Sequence, residues 1–217
     1  MLPDAATPAV RPGSMTDGFR ERQRCWWYLL EQRLAGRYVF IHINKCGGTS
    51  VEAALGIPKL HDTARLRRLK IGRRRWEKAF TFALVRHPYS RLISFYKYRA
   101  RYNQTGLRDE RPPDLNAWIR ATLADRDPAY YDQPRMFAPC FDWVSDRNGR
   151  VIVDYIAKLE TIEEQWPVIQ ERIGEPGALP VRNVSGNRSD REILDGEARR
   201  IIQESFRKDF EAFGYEP

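Results

Sequence analysis

Hydrophobic positions follow two rhythms along this chain. Tyr38 to Ile43 (YVFIHI) and Phe80 to Val85 (FTFALV) are unbroken runs of mostly β-branched and aromatic residues, nearly free of charge and too short for a helix. Such runs predict strands buried on both faces of a parallel sheet. After each run the period lengthens. Val51, Ala54 and Leu55 follow Gly48 at helical spacing, and Leu92, Phe95 and Tyr96 follow Pro88, a residue suited to a helical first turn. The rhythm therefore predicts strand, turn and helix twice over. Further helices are predicted over Phe19 to Leu34, Leu115 to Leu123, Thr161 to Ile173 and Leu194 to Phe213. Trp26, Trp27, Leu29, Leu30 and Leu34 form the apolar face of the first, and Asp195 caps the last. Val151 to Leu159 contains one more strand. The fold class is α/β, a parallel sheet flanked by helices. A Pro- and Ala-rich arm (1–17) precedes a single domain (18–217), and polar, Pro-containing loops at Arg101 to Pro113 and Asp125 to Pro139 border a cleft.

The two turns carry chemistry. In the first, Gly47 and Gly48 let the backbone turn sharply and approach a ligand, and the start of the following helix offers N–H groups and a positive dipole end to an anion. Thr49 and Ser50 add hydroxyls and Lys45 adds a point charge. The order differs from the mononucleotide phosphate loop, because the lysine precedes the glycines. In the second turn Arg86 closes the strand and Ser94 lies eight residues on, so the two can converge on one phosphate, where a guanidinium binds two oxygens at once. Two anion corners in one domain point to a doubly phosphorylated nucleotide.

FIHINKCGGTS at Phe40 to Ser50 and VRHPYSRLISFY at Val85 to Tyr96 resemble the two signatures of carbohydrate-type sulfotransferases (sulfotransferase family 2), the group that includes heparan sulfate 2-O-sulfotransferase and bacterial relatives. Weaker similarity continues through Val153 to Trp166 and Phe206 to Pro217. The resemblance implies a P-loop NTPase-like sulfotransferase fold and 3′-phosphoadenosine 5′-phosphosulfate (PAPS) as co-substrate. Lys45, Cys46, Gly47, Gly48, Thr49 and Ser50 would hold its 5′ end, and Arg86 and Ser94 its 3′-phosphate. Arg188, in a late loop, would approach the nucleotide. Asn44, Cys46 and His87 depart from the residues usual in such motifs. The implied acceptor is a hydroxyl on a carbohydrate or glycolipid, and no nucleic acid and no metal are expected.

Composition bounds the rest. At 217 residues the chain can bury a core unaided, and its formal charge of +8 is concentrated in eight basic residues between Arg65 and Lys78, either a solvated helix face or a landing surface for an anionic acceptor. Cys25, Cys46 and Cys140 are odd in number and lack metal-type spacing, which fits a reducing compartment. With no run near the ~20 apolar residues of a membrane span and no secretory signal, a cytoplasmic, bacterial enzyme is expected.

Three histidines compete for the role of base. His42 reads as a packed strand residue and His87 as a cap or ligand neighbour. His61 lies in the interval where the resemblance implies a histidine base, twenty-five residues before Arg86. It would take the acceptor proton, while Lys45 stabilises charge on the departing bisphosphate. Arg91 reads as a structural ion-pair residue. A nucleotide kinase would want a lysine after the glycines and a strand-end aspartate, and a non-catalytic binder of anionic polymer would leave the two corners unexplained.

Overall fold

The computed structural model describes residues 15–102, 113–174 and 193–217. Among them, β1 (Tyr38–Ile41), β2 (Phe80–Val85) and β3 (Tyr155–Lys158) form one parallel sheet in that order. Tyr38 pairs with Phe80 and Ile41 with Ala83 on one side of β2, and Phe82 pairs with Tyr155 and Val85 with Lys158 on the other. Val39, Ile41, Phe82, Ala83 and Val85 are fully buried. Residues of this kind are tolerated in succession because both faces of a parallel sheet are covered.

Parallel neighbours cannot be joined by hairpins, so each connection crosses over through helices. α2 (Gly48–Leu55), α3 (Ala64–Ile71) and α4 (Arg73–Trp76) join β1 to β2. α5 (Pro88–Arg101), α6 (Leu115–Ile119), α7 (Pro134–Phe137) and α8 (Cys140–Val144) lie between β2 and β3. α9 (Ile162–Ile173), α10 (Gly196–Ser205) and α11 (Arg207–Phe213) follow, and α1 (Met15–Ala35) precedes them all. One hydrophobic cluster surrounds the sheet, with Phe40, Leu84, Trp143 and Trp166 in it; a second, built on Leu92, Phe95, Trp118, Ile202 and Phe206, holds α5, α6, α10 and α11 together.

Three elements depart from the periodicity. α1 starts at Met15 and buries a different face from the one expected: Tyr28 and Gln32 are inside, whereas Trp26, Trp27 and Leu34 are 58%, 62% and 66% exposed. The segment after α6 widens into a π-helical turn at Arg120–Ala124. The single long helix expected from Leu194 to Phe213 is two, broken at Phe206, which sits in the second core. The break aims Asp209 of α11 at the start of α8, where its carboxylate oxygens accept from the Cys140 and Phe141 N–H groups at 2.8 Å each. Asp195 caps α10 as expected, accepting from the Ala198 N–H.

Candidate functional site

The β1 corner is built around conformations that favour glycine. Gly47 has φ +80° and Lys45, unusually for a side chain with a Cβ, φ +64°. A lysine in this region stores roughly 1–2 kcal/mol of backbone strain, the kind of outlier that clusters at ligand sites. α2 begins here without a side-chain cap, so its first turn faces the corner open. Thr49 is exposed at that turn, while Ser50 is buried. Cys46 turns inward: its N–H donates to the Ile43 carbonyl and its Sγ lies 3.8 Å from Cys140 Sγ, which directs both groups into the core. Gly48 is closed from below by His42, whose ring carbon Cδ2 would lie 2.1 Å from any Cβ added there.

The β2 corner comes up beside it. Arg86, 5% exposed, donates from Nη1 to the Lys45 carbonyl at 3.3 Å. Tyr98 of α5 lies under Lys45, with Nζ 4.1 Å from the ring centroid. Burial, with the cations of Arg86 and Lys59 nearby, pushes the Lys45 ammonium down to about 8. Cations drawn together at an open helix start favour the binding of an anion there. α5 differs from α2 in that its start is already occupied: Glu160 Oε1 accepts from the His87 N–H at 2.7 Å, and the His87 ring accepts from the Tyr89 N–H. Ser94 is half-buried two turns into α5. Any phosphate at this second corner would be held by side chains rather than by the helix start.

The histidines separate by their bonding. His87 uses both ring nitrogens, Nδ1 as the cap of α5 and Nε2 donating to the Glu216 carbonyl at 3.0 Å. His42 is 4% exposed and donates from Nδ1 to Glu52 Oε1 at 2.5 Å, with its far edge sealed by Gly48. His61 is half-buried, and its Nδ1 donates to the His42 carbonyl at 3.1 Å. A carbonyl only accepts, so the proton sits on Nδ1 and Nε2 keeps a lone pair. Desolvation first, then the His42 ring 4.3 Å away, push His61 down to about 4, which leaves it neutral at ordinary pH. Trp143 stands edge-on to His61 at 6.3 Å, and Arg135 lies over the indole of Trp143 at 6.0 Å.

A model of the sulfotransferase family matches residues 36–216. The chain belongs to that family. An uncharacterized protein of Archaeoglobus fulgidus is 28% identical over 128 residues, which is 58% of this chain and 95% of that protein. No solved structure gives a significant match. The parallel sheet with flanking helices agrees with a sulfotransferase fold. Arg188 lies outside the described residues of this sulfotransferase, as does most of the expected loop from Arg101 to Pro113.

Two features of the sulfotransferase were not legible from spacing. Arg91 is structural, but among the described residues its partners are neutral oxygens and not a carboxylate. Its buried guanidinium donates to the Asn44 carbonyl, to Asn44 Oδ1 at 2.7 Å and to the carbonyls of Ala138 and Met136. An arginine of the second motif thereby clamps the entry to the first, and Asn44, one of the departures from the motif, is its partner. Glu52 is the other. It follows Val51 on α2, is 8% exposed and holds His42. An acid one position off an apolar stripe was the available signal, and only the fold supplies the partner ten residues back.

Proposed function

We propose that this sulfotransferase moves a sulfuryl group from PAPS to a hydroxyl of an acidic carbohydrate, with His61 as general base. The observation that carries the reading is the meeting of Lys45 and Arg86 beside the uncapped start of α2, with His61, its outer nitrogen unprotonated, bonded to His42, the residue beneath Gly48. In this reading Lys45 and the N–H groups of Gly48 and Thr49 take the 5′ end, and Arg86 with Ser94 takes the 3′-phosphate. His61 Nε2 receives the acceptor proton as the acceptor oxygen bonds to sulfur. The electron pair of the broken sulfur–oxygen bond passes to the 5′-phosphate oxygen, where Lys45 and the α2 dipole stabilise it.

The test is nucleotide discrimination. 3′,5′-Adenosine bisphosphate should raise the melting temperature well above the shift given by AMP, since only the bisphosphate engages Arg86. Arg86→Ala should bring the two shifts together. Equal stabilisation of the unmodified protein by both nucleotides would remove the second corner from the site.

Lys45 supplies a second measurement. Because it is held down to about 8 in the free protein, an anion bound beside it favours the protonated form and draws a proton in. Calorimetric titration with the bisphosphate at about pH 8.5, in two buffers of different ionisation enthalpy, should report net proton uptake, and Lys45→Met should abolish it. Affinity should weaken as pH rises through that value. Uptake that persists in the variant would assign the proton to another group.

The acceptor side is supported by a groove of about 1550 Å³ that runs from Thr63 and Arg135 along α3 and α4 to residues 146–154. Arg65, Arg68, Arg73, Arg135, Arg147 and Arg150 line it. Its acids are already engaged: Glu77 by Arg73 of the groove itself, which neutralises one of the six arginines, Asp146 by backbone N–H groups of its own turn, and Asp154 by Thr81. Arg135 of the groove lies over the ring of Trp143, and the same ring stands edge-on to His61. A sugar polymer bearing carboxylates or sulfates fits such a surface by charge.

A further inference from the structure

The apolar residues that α1 turns away from the core form a surface of their own. Phe19, Trp26, Trp27, Leu30 and Leu34 recur at i, i+7, i+8, i+11 and i+15, one face of a helix. Phe19 and Trp27 are each 62% exposed, and the Trp26 and Trp27 rings meet edge to face at 4.8 Å. The opposite side of the same helix is the one that packs, through Tyr28, Gln32 and half-buried Leu29. Exposed aromatic side chains of this size, gathered on one stripe, are a surface for something apolar.

Charge decides what covers it. Arg20, Arg22 and Arg33, all exposed, border the stripe, with Glu31 the acid near it. Arg75 of α4 donates to the carbonyls of Arg33 and Leu34, which fixes α4, with exposed Arg74 and with Lys78 just beyond its end, against the C-terminal end of α1, while Arg73 is paired with Glu77. A two-fold pairing of this face with a second copy would press arginine rim against arginine rim, in a chain of formal charge +8. An anionic lipid surface offers the opposite sign to the rim and an apolar boundary layer to the stripe, and tryptophan favours that boundary. Among the described residues no helix is long and apolar enough to cross a membrane, so α1 would lie in the interface plane. We propose that the exposed face of α1 docks this protein on an anionic lipid bilayer.

The proposal is independent of the reaction proposed above. The 217-residue chain should co-sediment with phosphatidylcholine vesicles that contain about 30% phosphatidylglycerol, and much less with phosphatidylcholine alone; added salt should weaken the binding. Tryptophan emission should shift to the blue on binding. The double substitution Trp26→Ser with Trp27→Ser should weaken partitioning by about ten-fold or more and remove the shift, with a retained cooperative unfolding transition and unchanged far-ultraviolet circular dichroism as the check on folding. Failure to bind the anionic vesicles, or equal binding by the variant, overturns the proposal. So does a dimer in solution that the double substitution converts to monomer, since the occupant would then be a second copy.

Discussion

Replacing His61 with alanine should cut turnover by roughly two to four orders of magnitude while leaving bisphosphate affinity almost unchanged. The separation follows from where the ring sits. His61 is tied to the His42 carbonyl through Nδ1, and its bonding touches none of Lys45, Arg86 or the first turn of α2. Donor affinity therefore has little to lose, whereas the acceptor proton loses its destination. His42 and His87 cannot substitute, because one is sealed between Glu52 and Gly48 and the other has both nitrogens engaged. Near-normal turnover in His61→Ala, measured with a verified acceptor, would mean that the base is not a histidine of this site.

The pH dependence sharpens the same test. Burial holds His61 down to about 4, so the neutral form that the proposed reaction requires persists through mildly acid solution. The acid limb of kcat/KM should accordingly fall near that value and not near the ordinary ~6.5 of a histidine. A bound anionic donor favours the imidazolium, so the limb in kcat should lie higher than the limb in kcat/KM. Both limbs should be absent from His61→Ala.

How much of this was legible in the chain differs by element, for physical reasons. The strands were readable because a parallel sheet covered on both faces admits uninterrupted apolar runs, and Phe80–Val85 is recovered with the same ends. The glycine turn was readable because Lys45, Gly47 and Gly48 are neighbours in sequence, whereas the approach of Arg86, forty-one residues on, comes from the pairing of β1 with β2. The face of α1 was not. It carries apolar residues on two sides, and periodicity alone cannot say which side has a neighbour. The break at Phe206 was equally hidden, since it serves Asp209, whose acceptor role is fixed by α8 some seventy residues earlier. Arg91 and Glu52 share that character: the ion pair expected of Arg91 gives way to Asn44 and the carbonyls around it, and Glu52 acquires a role only when the fold brings His42 to it.

Gly48→Ala should be among the most damaging substitutions in the protein. A Cβ at this position would meet His42 Cδ2 at 2.1 Å and Nε2 at 2.3 Å, well inside van der Waals contact. The ring has little freedom to yield. It is bonded to Glu52, stacked on Phe40 at 5.9 Å and faced by His61 at 4.3 Å. The strain must pass into the backbone of the anion loop, and a loss of about 3 kcal/mol, at the upper end for overpacking, is expected together with loss of bisphosphate binding. At Gly47 the obstacle is the flexible end of Leu159, so Gly47→Ala is limited mainly by its φ of +80° and should cost about 1–2 kcal/mol. Removing the ring tests the cause directly. His42→Ala alone destabilises by leaving the Glu52 carboxylate buried without its donor, yet it opens the space that Gly48→Ala needs. The double variant should therefore be about 2 kcal/mol more stable than the sum of the two losses requires, and it should regain bisphosphate binding. Simple additivity in urea denaturation would show that Gly48 is required by its own backbone and not by the ring beneath it.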